Sequence, residues 1–201
     1  MTMIVTEEFL TQAQPAPFSP IELTTSDIPQ ILDLIAAVRD ALPEGEKHFL
    51  KPKTSAELTA LLENGGSILA MKPRDGGSLA ALTIVNRERE NLAVLQSVCV
   101  HPDFKRLGLV SALMEHSEKW ARENSISLFL AKVATANEKS QQLFFSAGFR
   151  VARVGTDEEL GYAFNIFAKS LPPLANCHAL PSNRSYGTCY PATAREAAFT
   201  S

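Results

Sequence analysis

The sequence predicts a mixed α/β domain, and three observations carry that expectation. Four segments repeat apolar residues at helical spacing, and seven short runs are rich in β-branched and aromatic residues. Polar turns rich in Gly, Pro and Asp separate them. Read in order, the elements run β-α-α-β-β-β-α-β-α-β-β.

IEL (21–23) is a short first strand. In the first helix Ser26 stands as N-cap, with Ile28, Ile31, Leu32, Ile35, Val38 and Leu42 at helical spacing. Thr54 and Glu57 form a capping box for a second, shorter helix. SILAMK and SLAALTIV are strands separated by the hairpin turn PRDGG, and NRERE reads as another polar turn before the strand LAVLQSVCV. A long helix spans Leu109 to Glu123. The strand SISLFLAKV, the helix NEKSQQLFFSAG and the strands FRVARVG and GYAFNIFAK complete the order. Residues 1–17 read as a leader ending in QPAPF, residues 18–169 as the folded domain, and residues 170–201 as a loosely ordered, aperiodic tail.

Of 201 residues, 45% are hydrophobic and 20% charged, and the formal net charge is −3. That mild acidity argues against nucleic acid as a partner. No apolar run approaches the roughly 18 residues of a membrane span. The start, MTMIVTEEFL, does not read as a signal peptide. Cys99, Cys177 and Cys189 show no paired spacing, so the cytosol with free thiols is the simplest home. Cys177, His178 and Cys189 lack the fourth ligand that structural zinc takes, so no metal is expected.

Chemistry concentrates in HPDFKRLGLVSALM, directly behind an apolar strand. A helix N-terminus offers unpaired N–H groups and partial positive charge, which together bind phosphate. Gly108 lets the backbone turn, and Lys105, Arg106 and Ser111 add donors. By spacing alone the stretch is either a phosphate cradle or a charged strand-to-helix connection. Neither the three glycines of a dinucleotide loop nor a G-K-[ST] loop is present.

Two blocks together, LQSVCVHPDFKRLGLVSALMEHSEKWARE and NEKSQQLFFSAGFR, make the chain similar to the GNAT superfamily of N-acetyltransferases. The resemblance covers about residues 18–169 and includes the element order. It rests on Val100, Pro102, a basic residue at 105 and Gly108 before the long helix, then Asn137, Phe144, Gly148 and Phe149 beyond it. The resemblance implies a central mixed, mostly antiparallel sheet flanked by helices, with an acyl-CoA cleft at the splayed fourth and fifth strands. It implies acetyl-CoA as co-substrate and a small-molecule or peptide amine as acceptor. The amides of Arg106, Leu107, Gly108, Leu109, Val110 and Ser111 would surround the pyrophosphate. Main-chain groups of Val98, Cys99 and Val100 would pair with the pantetheine arm, and Asn137 and Phe144 would meet the cofactor.

The departures from the family pattern are specific. Lys105 stands where Arg or Gln is usual and loses the guanidinium fork. Val110 puts a branched side chain where Gly or Ala is usual. The frequent tyrosine acid is Phe144 here, and Gln96 replaces a glutamate that serves as base or water holder, leaving Gln96 as a candidate water holder. These losses set a working N-acetyltransferase against a non-catalytic acyl-CoA sensor. Other residues have plain readings. Asn137 is also a good helix N-cap. Phe144, Phe149 and Trp120 are core candidates, and Glu44, Glu46, Lys47 and His48 lie in a polar loop where the family often shapes its acceptor pocket. The acceptor and the oligomeric state are not legible.

Overall fold

A computed structural model describes residues 17–157 and 161–172. The expected leader up to Ala16 and the tail from Pro173, with Cys177, His178 and Cys189, lie outside the described residues.

Among the described residues seven strands form one sheet: β1 (Phe18–Leu23), β2 (Ser67–Pro73), β3 (Ala81–Arg89), β4 (Leu92–Val100), β5 (Leu128–Ala134), β6 (Arg150–Asp157) and β7 (Tyr162–Ser170). Their order is β1-β2-β3-β4-β5-β7-β6, and every pair is antiparallel except β4 with β5. The helices are α1 (Ile28–Asp40), α2 (Ser55–Glu63), α3 (Leu109–Glu123) and α4 (Glu138–Ser146). This matches the expected element order.

The sheet is covered on both faces, which is why β2 reads as a nearly continuous apolar run. Ile68, Leu82 and Ile84 pack with Ile31, Leu34, Ile35 and Leu58 of α1 and α2. Their neighbours Leu69 and Val85 point the opposite way, toward Met114 and Trp120 of α3 and Phe144 of α4. Alternating side chains along each strand thus feed two separate apolar layers.

Three local expectations change. Thr24, rather than Ser26, starts the first helical segment: its N–H donates to the Asp27 carboxylate at 2.9 Å, ahead of a short 3₁₀ turn. Asn86–Arg89 continue β3 rather than forming a turn, because β4 offers them ladder partners as far as Leu92. The folded domain also extends past residue 169. Ser170 ends β7, and Leu171 is 2% exposed, with its N–H donating to the Ser127 carbonyl at 2.8 Å. The capping box before α2 is as expected, with Thr54 N–H to Glu57 at 2.7 Å and the return bond at 3.2 Å.

Candidate active site

The site begins where two strands part. β4 and β5 pair only through Leu92–Leu128, Ala93–Phe129 and Val94–Leu130, although β4 continues to Val100 and β5 to Ala134. Each keeps its outer neighbour: β5 follows β7 throughout, and β4 follows β3 up to Val100 opposite Ala81. The break coincides with a bulge. Ile84 faces Ser97 and Val85 faces Leu95, leaving Gln96 as an extra residue. A bulge bends and twists its strand, which turns β4 away from β5.

The bulge also reverses side-chain parity. Ala93 and Leu95 pack on the α3 side before it, and Val98 and Val100 do so after it, while Cys99 enters the α1–α2 layer. His101 donates its N–H to Ala80, on the β3 side. By strand alternation the main-chain groups of Val98 and Val100 face the gap, whereas those of Cys99 face β3. Of the three residues expected to pair with a pantetheine arm, the structure aims two at the opening. Cys99 is instead packing, and burial pushes its thiol up to about 12.

The chain leaves β4 through a 3₁₀ turn at Pro102–Phe104, held by the edge-to-face contact of Phe104 with Phe18 at 5.7 Å. Arg106 then takes φ 66° and Gly108 φ 71°, both left-handed, before α3 starts at Leu109. A left-handed non-glycine residue costs roughly 1–2 kcal/mol, and such residues cluster at functional sites. No side chain caps α3 and its first turn has no acidic residue. The Ala112 N–H already bonds the Gly108 carbonyl, so the amides of Leu109, Val110 and Ser111 precede the first intrahelical bond. A Cβ placed on Gly108 would meet nothing within 4 Å. Lys105 and Arg106 are exposed, and neither side chain has a partner among the described residues. Unpaired amides, an open glycine and two unpaired cations fit a pyrophosphate. Val110, the branched residue at this start, packs against the α3–α4 layer.

A cavity of about 540 Å³ occupies the strand split, walled by β4, β5, the start of α4 and the 3₁₀ segment Glu44–Phe49 that follows α1. Gln96 lines it, with its amide oxygen accepting from Lys53 Nζ at 3.3 Å. Asn137 also lines it and caps α4, accepting the Ser140 N–H at 3.1 Å. Phe144 reaches the wall but is 5% exposed, and it stacks on Phe167 and meets Phe149 edge-on. Its role is chiefly core.

In the polar loop, Glu46 and His48 line the cavity while Glu44 does not. Glu44 bonds Lys47 at 2.7 Å, which holds its carboxyl below the usual range. Sequence reasoning missed Tyr162, a phenol that lines the cavity from the start of β7. It also missed the lysines of the cavity wall. These residues come from distant segments, so no local spacing marks them.

Comparison with known proteins agrees with this geometry. The acetyltransferase (GNAT) family model matches residues 34–149, more than half of the chain. The chain belongs to the GNAT acetyltransferase family. That family uses acetyl-CoA.

A relative from Mannheimia succiniciproducens, named amino-acid acetyltransferase, is 28% identical over 131 residues. That match covers 65% of this chain but spans only 27% of the relative. Among solved structures, the ribosomal-protein-S18-alanine N-acetyltransferase of Escherichia coli has a TM-score of 0.62 at 19% identity, covering 81% of this chain and 99% of that one. YncA of Salmonella typhimurium, solved with its cofactor acetyl-CoA, has a TM-score of 0.61 at 17% identity, covering 82% and 99%. These structural likenesses speak to the fold, which is the GNAT fold.

Proposed function

We propose that this GNAT acetyltransferase moves the acetyl group of acetyl-CoA to a primary amine by direct attack on the thioester, with a preference for α-amines. The observation that carries the reading is the alignment of three features along one path. An uncapped, cation-flanked α3 start follows the gap-facing edge of β4, which leads to the cavity at the Gln96 bulge.

Acetyl-CoA supplies an activated acyl carbon and a thiolate that leaves without strong acid assistance, since a thiol has a pKa of about 8.5. The chain's own residues bind and orient. The Leu109, Val110 and Ser111 amides with Lys105 and Arg106 hold the pyrophosphate. The Val98 and Val100 main chain aligns the arm, and Gln96 holds a water that relays the amine proton. Positioning of this kind supplies more of the rate than general acid–base help, which is worth about 10²–10⁴-fold.

With glutamine at position 96, the favoured acceptor is an amine already neutral near pH 7.5. The α-amine of a peptide terminus or an amino-acid amide, of pKa about 7.7–8.0, meets that condition; a free amino acid, whose carboxylate raises the pKa of its amine, meets it less fully, and a lysine-like amine near 10.4 is neutral only about one part in a thousand. The name of the Mannheimia relative agrees with an amino-acid α-amine. The competing reading, a non-catalytic acyl-CoA sensor, draws on Gln96 and on Phe144 being core, but Tyr162 places a phenol in the cavity.

Thiol release from acetyl-CoA, followed for paired α- and ε-amines across about pH 6.5–9.5, tests the reading. The expected result is faster α-amine acetylation that rises through the acceptor's own pKa. Faster ε-amine acetylation at low pH overturns the preference, and cofactor binding without turnover for any amine overturns catalysis.

A further inference from the structure

The described wall of the cavity is rich in lysine. The sequence has a formal net charge of −3, yet among the described residues Lys51, Lys53, Lys132 and Lys139 line the cavity with one carboxylate, Glu46. Two of these lysines already have identified contacts. Lys139 holds Glu46 at 3.1 Å, and Lys132 Nζ stands 4.1 Å from the centre of the Phe164 ring.

Lys53 is different. It is half-buried, and among the described residues its ammonium makes its one hydrogen bond to the neutral amide oxygen of Gln96. The nearby Glu57 offsets its charge only in part: that carboxylate accepts the Thr54 N–H at 2.7 Å and hydroxyl at 2.9 Å, and the Lys53 charge is a lesser influence on it. Lys53 also directly precedes Thr54, the N-cap of α2, where the helix dipole adds positive potential.

Local sequence explains how two lysines come to line one cavity. Pro52 confines Lys51 to extended backbone, and residues two apart on an extended chain project to the same side. Lys51-Pro52-Lys53 therefore presents a pair of ammonium groups to the space beside Gln96. A half-buried cation whose hydrogen bond is to a neutral amide leaves a stronger, charge-assisted one unmade, and a ligand anion completes it.

We infer that the acceptor is an amine bearing a free carboxylate, which Lys53, supported by Lys51, binds beside Gln96. This rests on the acetyltransferase reading and narrows its substrate class. A free amino acid carries its carboxylate one carbon from the amine, so a carboxylate held at Lys53 keeps the amine close to the strand split. A peptide N-terminus has that carboxyl tied up as an amide. A polyamine brings only more positive charge.

The test measures thiol release from acetyl-CoA with leucine, aspartate and β-alanine, each against its carboxamide, in wild type, Lys53→Gln and Lys53→Arg, with each rate divided by the fraction of neutral amine, because a free carboxylate raises the amine's pKa. Charge-assisted bonding predicts that the carboxylates exceed their carboxamides by about tenfold to a hundredfold in kcat/KM, mainly through KM. Lys53→Gln removes most of that preference, and Lys53→Arg restores it. Comparing aspartate with asparagine and with aspartate α-amide tells which carboxylate is read. Equal rates for carboxylate and carboxamide in wild type, or an unchanged preference in Lys53→Gln, overturn the inference.

If no amine is acetylated, the acetyltransferase reading fails separately, and calorimetry with coenzyme A present still tests Lys53. N-acetylleucine binding that exceeds that of its amide and is lost in Lys53→Gln supports the carboxylate site. Equal or absent binding of the two refutes it.

Discussion

Glu46 and Lys139 meet across the cavity, with the lysine Nζ 3.1 Å from each carboxylate oxygen although 93 residues separate them. The pair ties the 3₁₀ segment after α1 to the first turn of α4. Partly exposed pairs of this kind contribute at most about 1 kcal/mol, so the tie shapes the cavity more than it stabilises the fold.

That tie bears on catalysis, because Glu46 is the carboxylate of the cavity wall among the described residues. Held by Lys139, it is expected to serve as a strut rather than as the proton acceptor. Glu46→Gln is expected to lower kcat by less than about tenfold and to leave the shape of the pH–rate profile unchanged, whereas loss of a general base costs about 10²–10⁴-fold. Steady-state kinetics across pH decide between these, and a hundredfold loss with a vanished acidic limb would make Glu46 the base.

Gly108 is expected to control cofactor affinity. Its φ of 71° penalises any side chain, and a Cβ there meets no protein atom, so the fold has room for the valine of Gly108→Val. The added bulk instead enters the space in front of the α3 amides. Calorimetry should show acetyl-CoA binding at least about tenfold weaker, with backbone strain of roughly 1–2 kcal/mol seen in stability. Unchanged affinity in a folded Gly108→Val protein would remove the cradle assignment.

The boundary of the domain can be tested by truncation. A chain ending at Pro172 keeps Leu171 in its layer with Trp120, Ile126 and Phe129 and should bind acetyl-CoA as the full chain does. A chain ending at Ser170 loses that side chain and its bond to Ser127. Leu171→Ala in the full-length protein is expected to cost about 2–5 kcal/mol, read from urea unfolding. A cost below about 0.5 kcal/mol would mean that Leu171 is peripheral.

Cys99 gives a pH signature of stability. Burial raises its thiol from an ordinary value of 9.0 to about 12, so the folded chain keeps the proton that the unfolded chain releases above pH 9. Stability should therefore fall as pH rises through this window, by about 1.4 kcal/mol per pH unit relative to Cys99→Ala. Urea midpoints of both proteins at about pH 8 and pH 10 measure the difference. Parallel behaviour of the two would show that the thiol titrates freely in the folded state.

The sequence by itself determined the element order, the α2 capping box, the α3 limits at Leu109 and Glu123, and the glycine turn in front of it. All of these are set by residues within a turn or two of one another, where periodicity, capping and backbone preference act directly. Only the tertiary structure decided that Gln96 is a bulge, since a bulge exists only against the register of β3. It also decided that Cys99 turns away from the gap, and that Val110 packs inward. The cavity wall is likewise a tertiary product, because Lys53, Gln96, Lys139 and Tyr162 come from four separate segments. No local pattern links them; strand pairing and the split between β4 and β5 bring them into one space.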